Sequence, residues 1–123
     1  MNTVALTKIA PEIFRKRLLV EGYYRVDVTE DLIHGYFQRL TSELGLRTYG
    51  PPIVHKTSGQ GKEVNQGFDA FVPLIDSGIY LGTWGNRNFV STVIYTCGPF
   101  DEQRATQIVK DYFQLGEYEA AVF

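Results

Sequence analysis

Three strand-like segments in close succession constrain this chain more than any other feature. Residues 68–74, 79–84 and 89–96 are rich in β-branched, aromatic and aliphatic side chains. They are separated only by Asp76-Ser77-Gly78 and by Gly85-Asn86-Arg87-Asn88. Both separators carry the small polar residues and glycine that close tight turns, so the spacing predicts an antiparallel meander. A meander with one apolar face must be covered, and the flanking sequence offers two helices for that purpose. Thr29 has N-cap character, with Glu30 and Asp31 in the first turn, where the helix dipole favours negative charge. Ile33, Phe37, Leu40 and Leu44 follow at helical spacing, and Gly45 ends the run. Asp101 similarly precedes Ala105, Ile108, Val109, Tyr112 and Phe113, a second one-sided helix.

Further strands are predicted over residues 15–24, near 52–56 and over 117–123. The order is then strand, helix, four strands, helix, strand. The predicted fold class is α+β, a two-layer sandwich with a mainly antiparallel sheet and two helices on one face. Residues 1–14 read as a loosely attached lead-in, with Pro11 limiting any helix there. The rest of the 123 residues leaves room for one domain, 1–123.

Composition then removes several function classes. Twelve Lys+Arg against 14 Asp+Glu give a net charge of −2 without a basic run, which argues against a nucleic-acid partner. No apolar stretch approaches the roughly 18 residues of a membrane span, and no secretory leader is evident. A cytoplasmic protein without membrane partners is the expectation. A single cysteine, Cys97, excludes an internal disulfide and a multi-cysteine metal site. His34, expected on a helix surface, and His55, beside a glycine-rich loop, belong to no spaced ligand set, so no metal is expected. The loop over residues 57–67 has three glycines but lacks the Lys-Ser/Thr and helix start of a phosphate cradle. Taken singly, Asp76-Ser77-Gly78 is an ordinary turn and Cys97 a small buried hydrophobe at a strand end.

In combination these residues say more. Leu74 to Trp84, ending Thr83-Trp84, followed by Thr96-Cys97-Gly98 with Ser77 and Cys97 20 residues apart, resembles the small prokaryotic S-adenosylmethionine decarboxylases. Leu18-Leu19-Val20-Glu21 is similar to the family's first strand, and Ser58-Gly59-Gln60-Gly61 to its Ser-Pro-Gln-Gly turn. The resemblance covers roughly residues 16–113. It implies that the Ser77 hydroxyl attacks the carbonyl of Asp76, that the ester so formed eliminates, and that pieces of 76 and 47 residues result. The new N-terminus would carry a pyruvoyl group, the only cofactor implied. That group binds a substrate amine and accepts the electrons released as carbon dioxide leaves. Cys97 would return a proton to the product, a general-acid role. By the same resemblance Thr57, Ser58, Gln60 and Trp84 fall at substrate-binding positions, and a homodimer through the sheets is implied.

Four departures stand out. Gly82 occupies the place of a histidine that serves the elimination as a base. Asp69 stands where a serine assists the acyl shift, and Thr57 where a phenylalanine stacks on adenine; residues 62–67 form an insertion. Asp69 or His55 is the candidate replacement base. The reading is a decarboxylase of S-adenosylmethionine or a related amino acid, of polyamine-type metabolism. Its alternative is an unprocessed relative that binds a ligand or regulates a partner.

Overall fold

The computed structural model describes residues 2–3 (backbone), 8–57 and 66–123. Its elements run β1 (Asn2–Thr3), β2 (Lys16–Tyr23), α1 (Glu30–Leu44), β3 (Ile53–Thr57), β4 (Gly67–Leu74), β5 (Ser77–Trp84), β6 (Phe89–Thr96), α2 (Glu102–Phe113) and β7 (Tyr118–Val122). The strands form one sheet in the order β1-β7-β2-β6-β5-β4-β3. The six strands β2–β7 are antiparallel, and β1 adds a short parallel pairing on β7, Asn2 opposite Ala121. Part of the supposed lead-in is therefore an edge strand. Two residues carry too little alternation for a sequence pattern to reveal them.

Alternation within each strand decides which face is covered. Leu18, Val20, Val72, Leu74, Ile79, Leu81, Val90 and Ile94 are buried in the same core as Ile33, Phe37 and Leu40 of α1 and Ile108 and Phe113 of α2. Both helices thus lie on one face, as their apolar stripes require. Thr29 caps α1 by accepting from the Leu32 N–H at 3.1 Å. Asp101 caps α2 by accepting from Gln103 and Arg104 N–H groups. Where the helices meet the sheet, Tyr36 is wholly buried. Its hydroxyl is 2.9 Å from Thr92 Oγ1, and Thr92 in turn donates to the Tyr80 carbonyl at 2.7 Å. Since the threonine proton is committed, the tyrosine is the donor, and no polar atom of this buried chain lacks a partner.

Among the described residues, no layer covers the other face of the sheet. The register aligns Ile53, Phe71, Tyr80, Val93, Leu19 and Ala121 across this open face. Ile53, Phe71 and Tyr80 are exposed there.

Candidate active site

The β4–β5 hairpin carries Asp76 and Ser77. Leu74 pairs with Ser77, so the turn residues are Ile75 and Asp76, and Ser77 is already the first residue of β5. The sequence reading placed the separator at residues 76–78, one residue later. Ser77 has φ 133°, in a region that L-residues rarely adopt, at a typical cost of about 1–3 kcal/mol. Neighbours hold that conformation in place. On one side the Ile75 N–H donates to the Arg47 carbonyl at 2.8 Å and the Tyr49 N–H to the Pro73 carbonyl at 3.0 Å. On the other, the Cys97 N–H donates to the Asp76 carbonyl at 2.9 Å. The Asp76 carboxylate lies 3.6 Å from the Arg47 guanidinium.

These contacts assign distinct parts to the residues singled out from sequence. The Asp76 carbonyl is the group Ser77 would attack, and an amide proton already points at its oxygen, where charge would develop. The Asp76 side chain is occupied by Arg47. Cys97 is exposed rather than buried, because the chain leaves the sheet immediately after Thr96. The turn there is fixed by Thr96 Oγ1 donating to the Gly98 carbonyl at 2.6 Å. Lys16 bonds the Phe100 carbonyl at 2.9 Å and pairs with Glu102, tying the segment after the thiol to β2. Ser77, Asp76 and Cys97 are thus brought together at one end of the sheet.

The remaining candidates lie elsewhere. Asp69 is opposite Gly82 on β5 and opposite His55 on β3. Gly82 is five residues along the strand from Ser77, roughly 17 Å at a rise of ~3.3 Å per residue. Neither Asp69 nor His55 therefore sits beside Ser77 of its own chain. Trp84 and Thr57 lie further still, at the opposite end of β5. Thr57 is buried and accepts from the Gly67 N–H at 3.0 Å, which fastens the start of β4. Trp84 stacks on Phe89, ring centroids 5.4 Å apart, and Phe89 meets Tyr23 at 5.9 Å. Arg87 joins these three rings around a recess of about 320 Å³ on the open face. A larger cleft of about 770 Å³ lies between the start of α1 and this end of the sheet, lined by Thr29, Lys56, Thr57, Phe68 and Asn86 among others. Ser58 and Gln60 lie outside the described residues.

Two residues that the sequence reading passed over also belong to this picture. Arg47 reaches the hairpin only because the loop after α1 folds back on β4, through a bridge between Thr48 and Leu74, and no local pattern signals that. Tyr80 lies on the open face with its hydroxyl donating to Asp69 Oδ1 at 3.0 Å. Burial, helped by the neighbouring carboxylate, pushes its phenol up to about 12. A Cβ built on Gly82 would collide with that hydroxyl, so the glycine is what lets the ring lie flat. The signal was the pair Tyr80 and Gly82, two apart and hence on one face.

Fold and site together define a class: a two-layer α+β protein in which a conformationally strained serine opens a hairpin strand beside an exposed thiol. A sequence model of S-adenosylmethionine decarboxylase matches residues 17–123, and the chain belongs to that family. Among solved structures it is similar to the adenosylmethionine decarboxylase from Aquifex aeolicus VF5, with a TM-score of 0.67 at 20% identity over 90% of this chain and 89% of that one. No curated relative matches it.

Proposed function

We propose that this protein is a pyruvoyl-dependent decarboxylase of S-adenosylmethionine or a related amino acid, matured by cleavage of its own Asp76–Ser77 bond. One observation carries the reading: the strained Ser77 follows a carbonyl already held by the Cys97 amide at 2.9 Å. Attack by the Ser77 hydroxyl relieves backbone strain, and the developing oxyanion meets a positioned donor. The pyruvoyl group, once formed, supplies the electron sink for decarboxylation. The exposed Cys97 thiol, next to the same carbonyl along the backbone, is placed to donate a proton at the product carbon. The Trp84–Phe89–Tyr23 surface offers flat apolar rings for a planar group of the substrate.

The open sheet face supports a homodimer as the working unit. It presents the apolar row from Ile53 to Ala121, and it carries Asp69, His55 and Trp84, which lie too far from Ser77 to serve it within one chain. Denaturing mass spectrometry of the purified protein is the test. Two fragments of 76 and 47 residues are expected, with Ser77→Ala giving one intact chain. A single full-length mass for the wild type would remove this reading.

The second reading, an unprocessed ligand-binding relative, is favoured by Gly82, which offers no side chain for proton transfer. It calls for intact mass together with a thermal shift on adding S-adenosylmethionine.

A further inference from the structure

Asp69, Tyr80 and Gly82 form one unit. Tyr80 lies over Gly82 and donates to Asp69, and any side chain at position 82 would displace the phenol. Asp69 also faces His55 across β3, and the same cross-strand row continues through Ser91 to Glu21, which bond each other. Of the two carboxylates in this row, Glu21 accepts from the Ser91 hydroxyl at 3.1 Å, and Asp69, on the strand that enters the Ser77 hairpin, accepts from the Tyr80 phenol at 3.0 Å. A phenol raised to about 12 stays neutral and remains a donor through the working pH range. It therefore keeps Asp69 oriented.

We propose that Asp69 is the base of the self-cleavage reaction, that Tyr80 is its positioning residue, and that the pair acts on Ser77 of a second copy across the open sheet face. The inference rests on the processing reading above. In the first step the Ser77 Oγ–C bond to Asp76 forms and the peptide C–N bond breaks, the hydroxyl proton passing to the Ser77 nitrogen. In the second, Asp69 removes the Cα proton of Ser77. Those electrons form the Cα–Cβ double bond as the Cβ–Oγ bond breaks, and Asp76 departs as a carboxylate. The enamine tautomerises, and water displaces ammonia to leave the pyruvoyl carbonyl. Separation requires the second copy, since Asp69 lies roughly 17 Å along the sheet from its own Ser77.

The experiment follows fragment formation by mass spectrometry in the wild type and in Asp69→Asn, Tyr80→Phe and Gly82→Ala, with hydroxylamine used to reveal esters. Losing the base slows fragment formation about 10²–10⁴-fold, so Asp69→Asn accumulates a hydroxylamine-labile ester at residue 77. Tyr80→Phe, and Gly82→Ala by displacing the phenol, slow it less, and the same hydroxylamine-labile ester builds up to a smaller extent. A merely structural role would not let that ester accumulate. Co-expression of Asp69→Asn with Ser77→Ala restores cleavage of the chain that keeps Ser77. Wild-type cleavage matched by all three variants, or no rescue on co-expression, overturns the inference while leaving the processing reading standing. An intact wild-type chain overturns both.

Discussion

Ser77 carries a backbone conformation that glycine would adopt freely, and this separates strain from chemistry. Ser77→Ala and Ser77→Gly are both unable to form an ester, yet only glycine relieves the φ of 133°. The glycine variant should be more stable than the alanine variant by about 1 kcal/mol, read from denaturant unfolding of the two uncleaved proteins. Cys97 separates in the complementary way. Its amide faces the Asp76 carbonyl, and Cys97→Ala keeps that amide while removing the thiol. If the proposed decarboxylase chemistry operates, self-cleavage should persist and turnover of S-adenosylmethionine should fall about 10²–10⁴-fold, as followed by release of carbon dioxide. Ser77 and Cys97 were legible because their chemistry is in the residue type. The contact that joins their segments, the Cys97 amide on the Asp76 carbonyl, was not, because it is made by the backbone.

At the scale of elements, the strands and helices follow from patterns their own residues carry. Leu18 and Val20 alternate with half-buried Leu19 and Glu21 in β2, and Thr29 and Asp101 stop the chain from extending its helices backwards. Removing a cap tests this: Asp101→Ala leaves two N–H groups of α2 without their acceptor and should cost about 1 kcal/mol, measured in the Ser77→Ala background so that cleavage does not intrude. Tyr36 tests the packing of helix on sheet. Complete burial holds its ionisation far above the usual phenol value of 10. In alkali the unfolded chain loses its proton first, so stability is full below pH 10 and declines as pH rises beyond it. Tyr36→Phe should flatten that decline in the melting temperature between pH 10 and 12. What the patterns missed was small or non-local: two residues of β1, and the turn that placed Ser77 inside β5 rather than between strands.

For the whole molecule, one face is closed by helices and the other is open. The apolar row of Ile53, Phe71, Tyr80, Val93, Leu19 and Ala121 crosses six neighbouring strands, a surface of the sort that mediates association. Val93→Asp puts an unpaired charge at its centre. If the open face pairs two copies as proposed, light scattering should then report a monomer for this variant and a dimer for the wild type, with the fold retained by circular dichroism. Cleavage should be lost with dimerisation if Asp69 acts across the interface.

The amino-acid sequence alone determined the order of the principal elements, their buried faces, and the kinship carried by Thr83-Trp84 and Thr96-Cys97-Gly98, and it singled out Ser77 and Cys97 as candidates. Each of these rests on local periodicity or on residue chemistry, which a linear chain displays. Tertiary structure decided the rest: that Arg47 and the Cys97 amide clasp the Asp76 turn, that Tyr80 fills the space above Gly82, and that Asp69 and Trp84 stand far from Ser77. Those facts depend on which strands become neighbours and how far along them two residues lie. Pairing register sets both, and it is fixed only when the whole sheet closes over its core.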